Sequence, residues 1–331
     1  MQPETLAPLY TLQQLLQHPW LQQPLLLWLV IVLSSLLPLP ASYQPLVLFR
    51  ILASRLASRV NKTAYPSAQL KLSGSLAAVI AIAPWLLLAW AFTLLSQMPQ
   101  LWHSLLLYLC LDWQTVRQHA LQIQASLEKQ QLSLARDQLQ PLVLREVRLM
   151  SEVGVSKACL ESLLFRLATQ WTSVLLWFLA AGVEGAIAYR LLQELQQQWN
   201  PKQSQFQHFG KPVAAIVAVL NWPGMLLTGT VLALLVSLRQ SRQYLKFASD
   251  GYFSFPARWL LAAGAAALNR NLAGPVYYQG QKIRRVRIGP ALEPKAADIS
   301  LLLKLCRQYQ VGVWLLLSSY LGLGLLASWP S

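Results

Sequence analysis

The sequence predicts an all-α fold, a polytopic integral membrane helical bundle with about six transmembrane helices that forms one domain over residues 1–331. Only 12% of the residues are charged, 55% are hydrophobic and 13 are tryptophan, whereas soluble domains carry about 25% charged residues. Long apolar runs alternate with polar segments, and a helix needs about 20 largely apolar residues to cross a bilayer. Lys and Arg are concentrated in the polar segments on one side of these runs.

The predicted spans are the apolar runs 24–39, 74–95, 101–111, 169–189, 213–238 and 311–328. The run 101–111 is short, and charge supports counting it as a span. Lys and Arg accumulate in cytoplasmic loops, and segments 41–72, 112–166 and 239–310 together hold 24 of the 27 Lys and Arg residues. With six spans these three segments are cytoplasmic, and both chain termini lie outside.

The net charge of +15 is explained mostly by this topology and partly by a basic pocket for an anionic substrate. Nucleic-acid binding is not expected, because no recognised motif accompanies the charge. The first 49 residues contain no Lys or Arg, so the first apolar run is predicted to be a retained helix rather than a cleaved signal peptide. The three cysteines lack metal-binding spacing and are expected to be free thiols.

Between the spans, residues 43–60 have the helical spacing of an amphipathic helix at the cytoplasmic interface. Residues 112–161 are polar and predict two or more helices, with a break at Pro141. The segment 239–310 contains Ser249-Asp250-Gly251 and the stretch 273–280, whose Gly and Pro residues predict turns. The basic stretch 282–287 is either a phosphate pocket or a surface attracted to anionic lipid.

Several stretches, in their order and spacing, resemble motifs of the CobD/CbiB family of membrane proteins from cobalamin biosynthesis. They are residues 105–108, 119–120, 135–136, 159–162, 185–190, 209–210, 221–222 and 273–280. Residues 185–190 read GAIAYR, similar to the family's G-A-L-A-Y-R. Residues 273–280 read AGPVYYQG, similar to its G-G-P-x-Y-Y-x-G. The resemblance extends from about residue 43 to residue 328.

The resemblance implies an adenosylcobinamide-phosphate synthase, a ligase of the bacterial inner membrane. The outer side, where the Lys and Arg count places both termini, is then the periplasm. The family joins aminopropanol, or its phosphate, to a propionate of adenosylcobyric acid, and ATP and magnesium are the cofactors implied. Membrane lipid and a corrinoid ligand are the implied partners. A partner membrane protein or a homo-oligomer is left open.

The chain departs from the family pattern at acidic positions. The family's E-N-x-x-D-G falls on residues 165–170, which read FRLATQ, and its N-T-L-D-S-M falls on 193–198, which read QELQQQ. Its L-D-D falls on 216–218, which read IVA, and the Arg of its P-A-R-L falls on Leu226. Magnesium prefers carboxylate oxygens, so no metal ligands are predicted. Whether the chain is an enzyme stays open, and the alternative is a non-catalytic sensor or scaffold comparable to AmpE.

Glu161 is the candidate catalytic residue. The candidate substrate-binding residues are Ser162, Tyr189, Arg190, Asn221, Gly274, Pro275, Tyr277 and Tyr278. Each of the main candidates also has a less specific interpretation. Glu161 and Ser162 also suit a solvated helix end, Asn221 also suits hydrogen bonding between helices, and the tyrosine pair also suits a membrane interface.

Overall fold

The computed structural model describes residues 19–37, 46–62, 64–247, 253–278 and 280–327, and most of them are helical. The helices are α1 (Pro19–Leu36), α2 (Leu46–Val60), α3 (Ser67–Leu95), α4 (Pro99–Cys110), α5 (Trp113–Glu128), α6 (Leu132–Leu139), α7 (Glu152–Arg166), α8 (Ser173–Gln198), α9 (Lys211–Leu220), α10 (Trp222–Val236), α11 (Leu238–Phe247), α12 (Phe255–Leu268) and α13 (Ala297–Ala327). A π-helical turn, Leu167–Thr172, joins α7 to α8. The all-α prediction is confirmed.

Four short strands form the non-helical part of the segment between α12 and α13. They are β1 (Leu272–Ala273), β2 (Val276–Tyr278), β3 (Gln281–Ile283) and β4 (Arg287–Ile288). β1 pairs with β4 and β2 pairs with β3, both antiparallel. The turn chemistry predicted for residues 273–280 therefore corresponds to the loop between β1 and β2 and to the β2–β3 pair, which the β1–β4 pair encloses. Residues 249–251, also predicted to form a turn, lie outside the described residues.

Two helix pairs run antiparallel, as their predicted spans require. The indole N–H of Trp28 on α1 donates to the Ser318 hydroxyl on α13 at 2.8 Å, and Trp28 stacks on Trp314. Phe92 near the end of α3 contacts Trp102 near the start of α4, with ring centroids 5.1 Å apart. These contacts fit the predicted orientation of the spans on α1, α3, α4 and α13.

By length and composition, two described helical segments could cross a membrane, Ser67–Leu95 and Glu152–Gln198. A third candidate is the pair α9 and α10, whose axes are bent by 43° at Asn221. The helices that carry the predicted spans 24–39, 101–111 and 311–328 do not meet this criterion within the described residues. Six spans are therefore not confirmed.

α8 does not run straight through the predicted span 169–189, because it reverses direction at Ala181 and Gly182. Gly182 has φ 69° and ψ −165°, a conformation available almost only to glycine. The Tyr189 hydroxyl lies 2.8 Å from the carbonyl oxygen of Thr169, although 20 residues of straight helix would separate them by about 30 Å. The second limb of α8 thus folds back along the first as a helical hairpin.

The segment that follows α8, predicted to lie on the outer side, contacts α2, which was predicted to lie on the cytoplasmic side. Glu194 pairs with Arg50 at 2.6 Å, and the Trp199 indole donates to the carbonyl oxygen of Ala53 at 3.2 Å. The Asn61 amide donates to the carbonyl oxygen of Gln205 at 2.7 Å. The chain from Glu194 to Gln205 therefore packs against residues 50–61. Hydropathy did not indicate this, because a broken hairpin and a straight span have the same apolar content.

The remaining expectations on organisation agree with the structure. The predicted amphipathic helix begins at Leu46 within the described residues and ends at Val60. The polar segment 112–161 contains α5, α6 and most of α7, and a 3₁₀ turn at Gln140–Leu142 includes Pro141. Cys110, Cys159 and Cys306 are buried free thiols.

Candidate functional site

A cleft of about 780 Å³ collects residues from six separate stretches of the chain. We call it the central cleft. It is lined by Gln140, Pro141, Leu142, Val143, Leu144, Arg145, Ala158, Glu161, Ser162, Phe165, Arg166, Thr169, Gln170, Gln196, Gln197, Lys202, Gln203, Asn221, Met225, Phe253, Ser254, Ala257, Tyr278, Ile283 and Arg285. Its volume falls in the range typical of small-molecule sites.

The charge of the central cleft is strongly positive. Among the described lining residues the cations are Arg145, Arg166, Lys202 and Arg285, and the carboxylate is Glu161. Anionic ligands are attracted to such a surface, and the attraction strengthens where the walls exclude water. The cleft therefore suits a phosphate or a carboxylate.

Glu161 is buried and fixes the arrangement of the cleft. Its Oε2 lies 3.2 Å from an Arg145 nitrogen and 3.6 Å from an Arg285 nitrogen. Its Oε1 accepts a hydrogen bond from the backbone N–H of Ala273 at 2.8 Å. The carboxylate proposed from sequence as catalytic thus orients two arginines and anchors β1 to α7, and its catalytic role stays a prediction.

The loop between β1 and β2 depends on Gly274 and on Arg285. Gly274 has φ 99°, which favours glycine, and its carbonyl oxygen accepts from Arg285 Nε at 2.8 Å. The guanidinium of Arg285 also stacks on the Phe253 ring, 5.1 Å from the centroid. Gly274 and Pro275 therefore shape the cleft wall without lining it.

The two predicted tyrosines point to different surroundings. Tyr278 lines the central cleft, and the ammonium of Lys202 lies 5.2 Å from its ring centroid. Tyr277 is 46% exposed, and its carbonyl oxygen accepts from the backbone N–H of Glu146 at 3.1 Å. Tyr278 is available to a ligand in the cleft, whereas the main chain at Tyr277 anchors the hairpin.

Ser162 and Arg166 form a polar group on one wall of the cleft. The Ser162 hydroxyl donates to the carbonyl oxygen of Leu142 at 3.2 Å and accepts from Arg166 Nε at 3.3 Å. Arg166 also donates to Gln170 at 3.0 Å. The guanidinium is held in place by these acceptors, so it presents a fixed positive charge to the cleft.

Glu293, in the connection between β4 and α13, stabilises the helix α7 that carries this wall of the cleft. Glu293 pairs with Lys157 and with Arg287, each at 3.1 Å. Burial alone raises the pKa of Glu293, but the Lys157 hydrogen bond and the two positive charges outweigh it and hold the pKa below its usual value. Glu293 is therefore an anion at neutral pH and fixes Lys157 of α7.

Tyr189 and Asn221 meet behind the cleft. The Tyr189 hydroxyl lies 2.6 Å from Asn221 Oδ1, and the Gln193 amide donates to the same oxygen at 3.1 Å. Asn221 also lines the cleft. This buried network joins the α8 hairpin to the bend between α9 and α10, so Tyr189 has a structural role while Asn221 remains open to a ligand.

Arg190 is not part of the central cleft. Its side chain is 1% exposed and pairs with Glu194 at 2.9 Å, and the same carboxylate binds Arg50. Arg190 lies instead against an apolar pocket between α2, α3 and α4. The structure thus separates it from the other predicted substrate-binding residues.

Comparison with known proteins identifies the family. The model of the family described as CobD/Cbib protein matches residues 27–306. The chain belongs to this family. It is 32% identical to "Cobalamin biosynthesis protein CobD" of Chromobacterium violaceum, over 88% of this chain and 93% of that protein. It is 33% identical to the protein of the same name from Stutzerimonas stutzeri, over 86% and 93%. No solved structure matches the chain.

Several positions of the CobD/CbiB motifs line the central cleft. Phe165 and Thr169, which stand where the family motif has Glu and Asp, line the central cleft. Gln196, which stands where the next motif has Asp, lines it as well. Val217 is buried within α9 and does not line the cleft. Motifs far apart in this CobD/CbiB chain thus converge on one site, where neutral residues replace the matched acids.

The residues of this site do not fit a magnesium ion held by protein ligands. Magnesium takes oxygen ligands, commonly carboxylates. Among the described lining residues the carboxylate is Glu161, and two arginines contact it. The described part of the chain contains no group of three or more His, Cys, Asp or Glu side chains arranged to hold a metal.

Two cations of this CobD/CbiB site were missed by the sequence analysis. Lys202 was assigned to the outer side, and Arg145 was not singled out. Their positions depend on the α8 hairpin and on the 3₁₀ turn at Gln140–Leu142. Sequence periodicity carries no signal for such long-range contacts.

Proposed function

We propose that this protein acts as a cobalamin biosynthesis enzyme that joins aminopropanol phosphate, or aminopropanol, to a propionate of adenosylcobyric acid. The observation that carries the proposal is the convergence of the family motifs on a cleft with four cations and one carboxylate. A propionate and a phosphate ester are both anions, so bringing them together requires positive charge. The central cleft supplies it.

Arg285, Arg145 and Lys202 are the groups we assign to the anionic reactants. Arg285 and Arg145 are preoriented by Glu161, and guanidinium groups bind carboxylate and phosphate through paired hydrogen bonds. Lys202, beside Tyr278 at the mouth of the cleft, contributes a mobile point charge. These groups neutralise the repulsion between the two anions. The amine would form the amide C–N bond and lose a proton, and the carboxyl oxygen would leave as phosphate after ATP had supplied a phosphoryl group to it.

Amide side chains are the groups that we assign to binding the corrinoid. Gln170, Gln196, Gln197 and Asn221 line the same cleft, and each offers a donor and an acceptor. The periphery of adenosylcobyric acid carries carboxamides, which are matched by such groups. The proposal assigns no protein ligand to magnesium.

Complementation tests the proposed function. Cells that lack their own synthase should regain cobalamin production when they express this chain, and a membrane protein of equal yield from another family should not restore it. Absence of cobalamin despite normal membrane yield would contradict the enzymatic proposal and support the non-catalytic alternative.

We further propose how the chain lies in the membrane. α1, α3, α4 and the apolar half of α13 cross the bacterial inner membrane. α8 folds back to the side from which it starts, and the α9–α10 pair, with its 43° bend, stays on that side without crossing. This is supported by the contact of Gly74 with Phe209 at the start of α9 and by the packing of α11 on α12 and β4. All 27 Lys and Arg residues then lie in the cytoplasm, in agreement with the positive-inside rule, and both termini lie in the periplasm.

Cysteine labelling distinguishes this arrangement from six spans. In a variant whose buried native cysteines are replaced by Ala, Gln203→Cys should react in intact cells only with a membrane-permeant maleimide. Gln97→Cys, between α3 and α4, should react with an impermeant one. Lys129→Cys is the matched cytoplasmic control. Labelling of Gln203→Cys by the impermeant reagent would contradict the proposed return of α8.

A further inference from the structure

A second crevice, of about 570 Å³, lies between α1, α5 and α13, and the site described above does not use it. We call it the lateral crevice. It occurs where α1 ends and where the apolar run of α13 begins, so its two halves differ in chemistry. Arg117, Lys304 and Arg307 line one half, and Val311 and Trp314 continue the other half along α13.

The sequence of α13 places these side chains on one face. Lys304, Arg307, Val311 and Trp314 follow one another at intervals of three, four and three residues, the spacing of a helix stripe. Arg117 reaches the same crevice from α5. The stripe changes from cationic to apolar along the helix, as the surface of a membrane helix does where it leaves the headgroup region.

The three cations have no anion among the described residues. Arg117, Lys304 and Arg307 are exposed, and no hydrogen bond or ion pair links any of them to a described residue. No carboxylate is among the described residues that line the lateral crevice. Lys304 and Arg307 stand three residues apart on one helix, where like charges repel. The cationic half of the crevice therefore lacks its counter-charge.

Trp314, which lines the crevice, has an unsatisfied hydrogen-bond donor. The indole nitrogen of Trp314 is buried and has no acceptor among the described residues, whereas its stacking partner Trp28 donates to Ser318 at 2.8 Å. A buried donor without an acceptor costs about 1–3 kcal/mol. The ring of Trp314, rather than its buried N–H, is therefore the part that the crevice offers to an occupant.

We propose that the lateral crevice binds one anionic phospholipid from the surrounding membrane. Its phosphate contacts Arg117, Lys304 and Arg307, and an acyl chain lies along Val311 and the ring of Trp314. A phospholipid has the same order of chemistry as the crevice, an anion followed by a hydrocarbon chain. Basic pockets between membrane helices on the cytoplasmic side bind anionic headgroups in this way.

Native mass spectrometry of the full-length protein in neutral detergent tests the proposal, with phosphatidylglycerol and phosphatidylcholine as the probes. The wild-type chain should retain one phosphatidylglycerol with at least about tenfold preference over phosphatidylcholine. The triple variant Arg117→Gln, Lys304→Gln, Arg307→Gln should lose this preference. The control triple Arg55→Gln, Arg59→Gln, Lys62→Gln removes the same amount of positive charge from α2 and from the short segment that follows it. This control should keep the preference.

Equal loss of the preference in both triple variants, or no preference in the wild type, would overturn the proposal. Thermal unfolding is a second measurement, and it detects any change in folding. Phosphatidylglycerol should raise the thermal midpoint of the wild type and of the control triple, but not that of the crevice triple. In lipid-free detergent the crevice triple should be at least as stable as the wild type, because the repulsion between the three cations is removed. A lipid-induced rise that persists in the crevice triple would also overturn the proposal.

Discussion

Replacing Glu161 by Gln is expected to abolish cobalamin production and to lower the free energy of unfolding by about 3–5 kcal/mol. Glu161 is buried, and it faces Arg145 at 3.2 Å and Arg285 at 3.6 Å. Removing its charge leaves two buried guanidinium groups without their anion. Thermal unfolding in detergent and cobalamin production in the complemented strain measure the two effects.

A compensating change separates the two roles of Glu161. The double variant Glu161→Gln, Arg145→Gln removes one of the two cations that Glu161 faces and should regain part of the lost stability, but not the activity. Lys129→Gln, an exposed residue away from the cleft, is the control and should match the wild type in both measurements. Full activity in Glu161→Gln would show that the reaction does not require Glu161 to orient the two arginines.

Replacing Gly182 by Ala is expected to lower the free energy of unfolding by about 1–3 kcal/mol. Gly182 stands at the reversal of α8 with φ 69° and ψ −165°, and a residue with a Cβ adopts this conformation only under strain. Because the hairpin places Lys202 and Gln196 at the central cleft, ligand binding should weaken as well. Thermal unfolding and membrane yield measure the change.

Gly312→Ala is the matched control for this prediction. Gly312 lies within α13, and a Cβ there meets no atom within 4 Å, so Ala should be neutral or slightly stabilising, as expected within a helix. Equal stability of the Gly182 and Gly312 variants would show that the reversal at Gly182 is not under conformational constraint.

Some parts of the fold follow from local sequence patterns. The apolar run 74–95 lies within α3, and the periodicity of residues 43–60 corresponds to α2. Pro141 marks the end of α6 as expected. These features depend on residues close in sequence, which hydropathy and turn chemistry describe well.

The α8 hairpin could not be predicted in the same way. Its two limbs together are apolar enough to look like one span, and a single glycine sets the reversal. The polar residues Tyr189 and Gln193 contact Thr169 only after that reversal. Their pairing satisfies polar groups that a straight helix would leave apart, and no periodic pattern encodes it.

The candidate site was predicted in part. Glu161, Ser162, Asn221 and Tyr278 were identified from motif resemblance, and all four line the central cleft. The charges around them were not anticipated, because Arg145 and Lys202 arrive from other parts of the chain. Motifs thus located the cleft, whereas its positive potential depends on tertiary contacts.

The most direct test of the central claim is calorimetric titration of the detergent-purified protein with adenosylcobyric acid and with aminopropanol phosphate. The wild-type chain and Lys129→Gln should bind both, and Lys202→Gln should bind aminopropanol phosphate about tenfold more weakly, as expected for a lost charge-assisted hydrogen bond. Failure of the wild type to bind either compound, or equal affinities in both variants, would contradict the assignment of the central cleft as the site of this reaction.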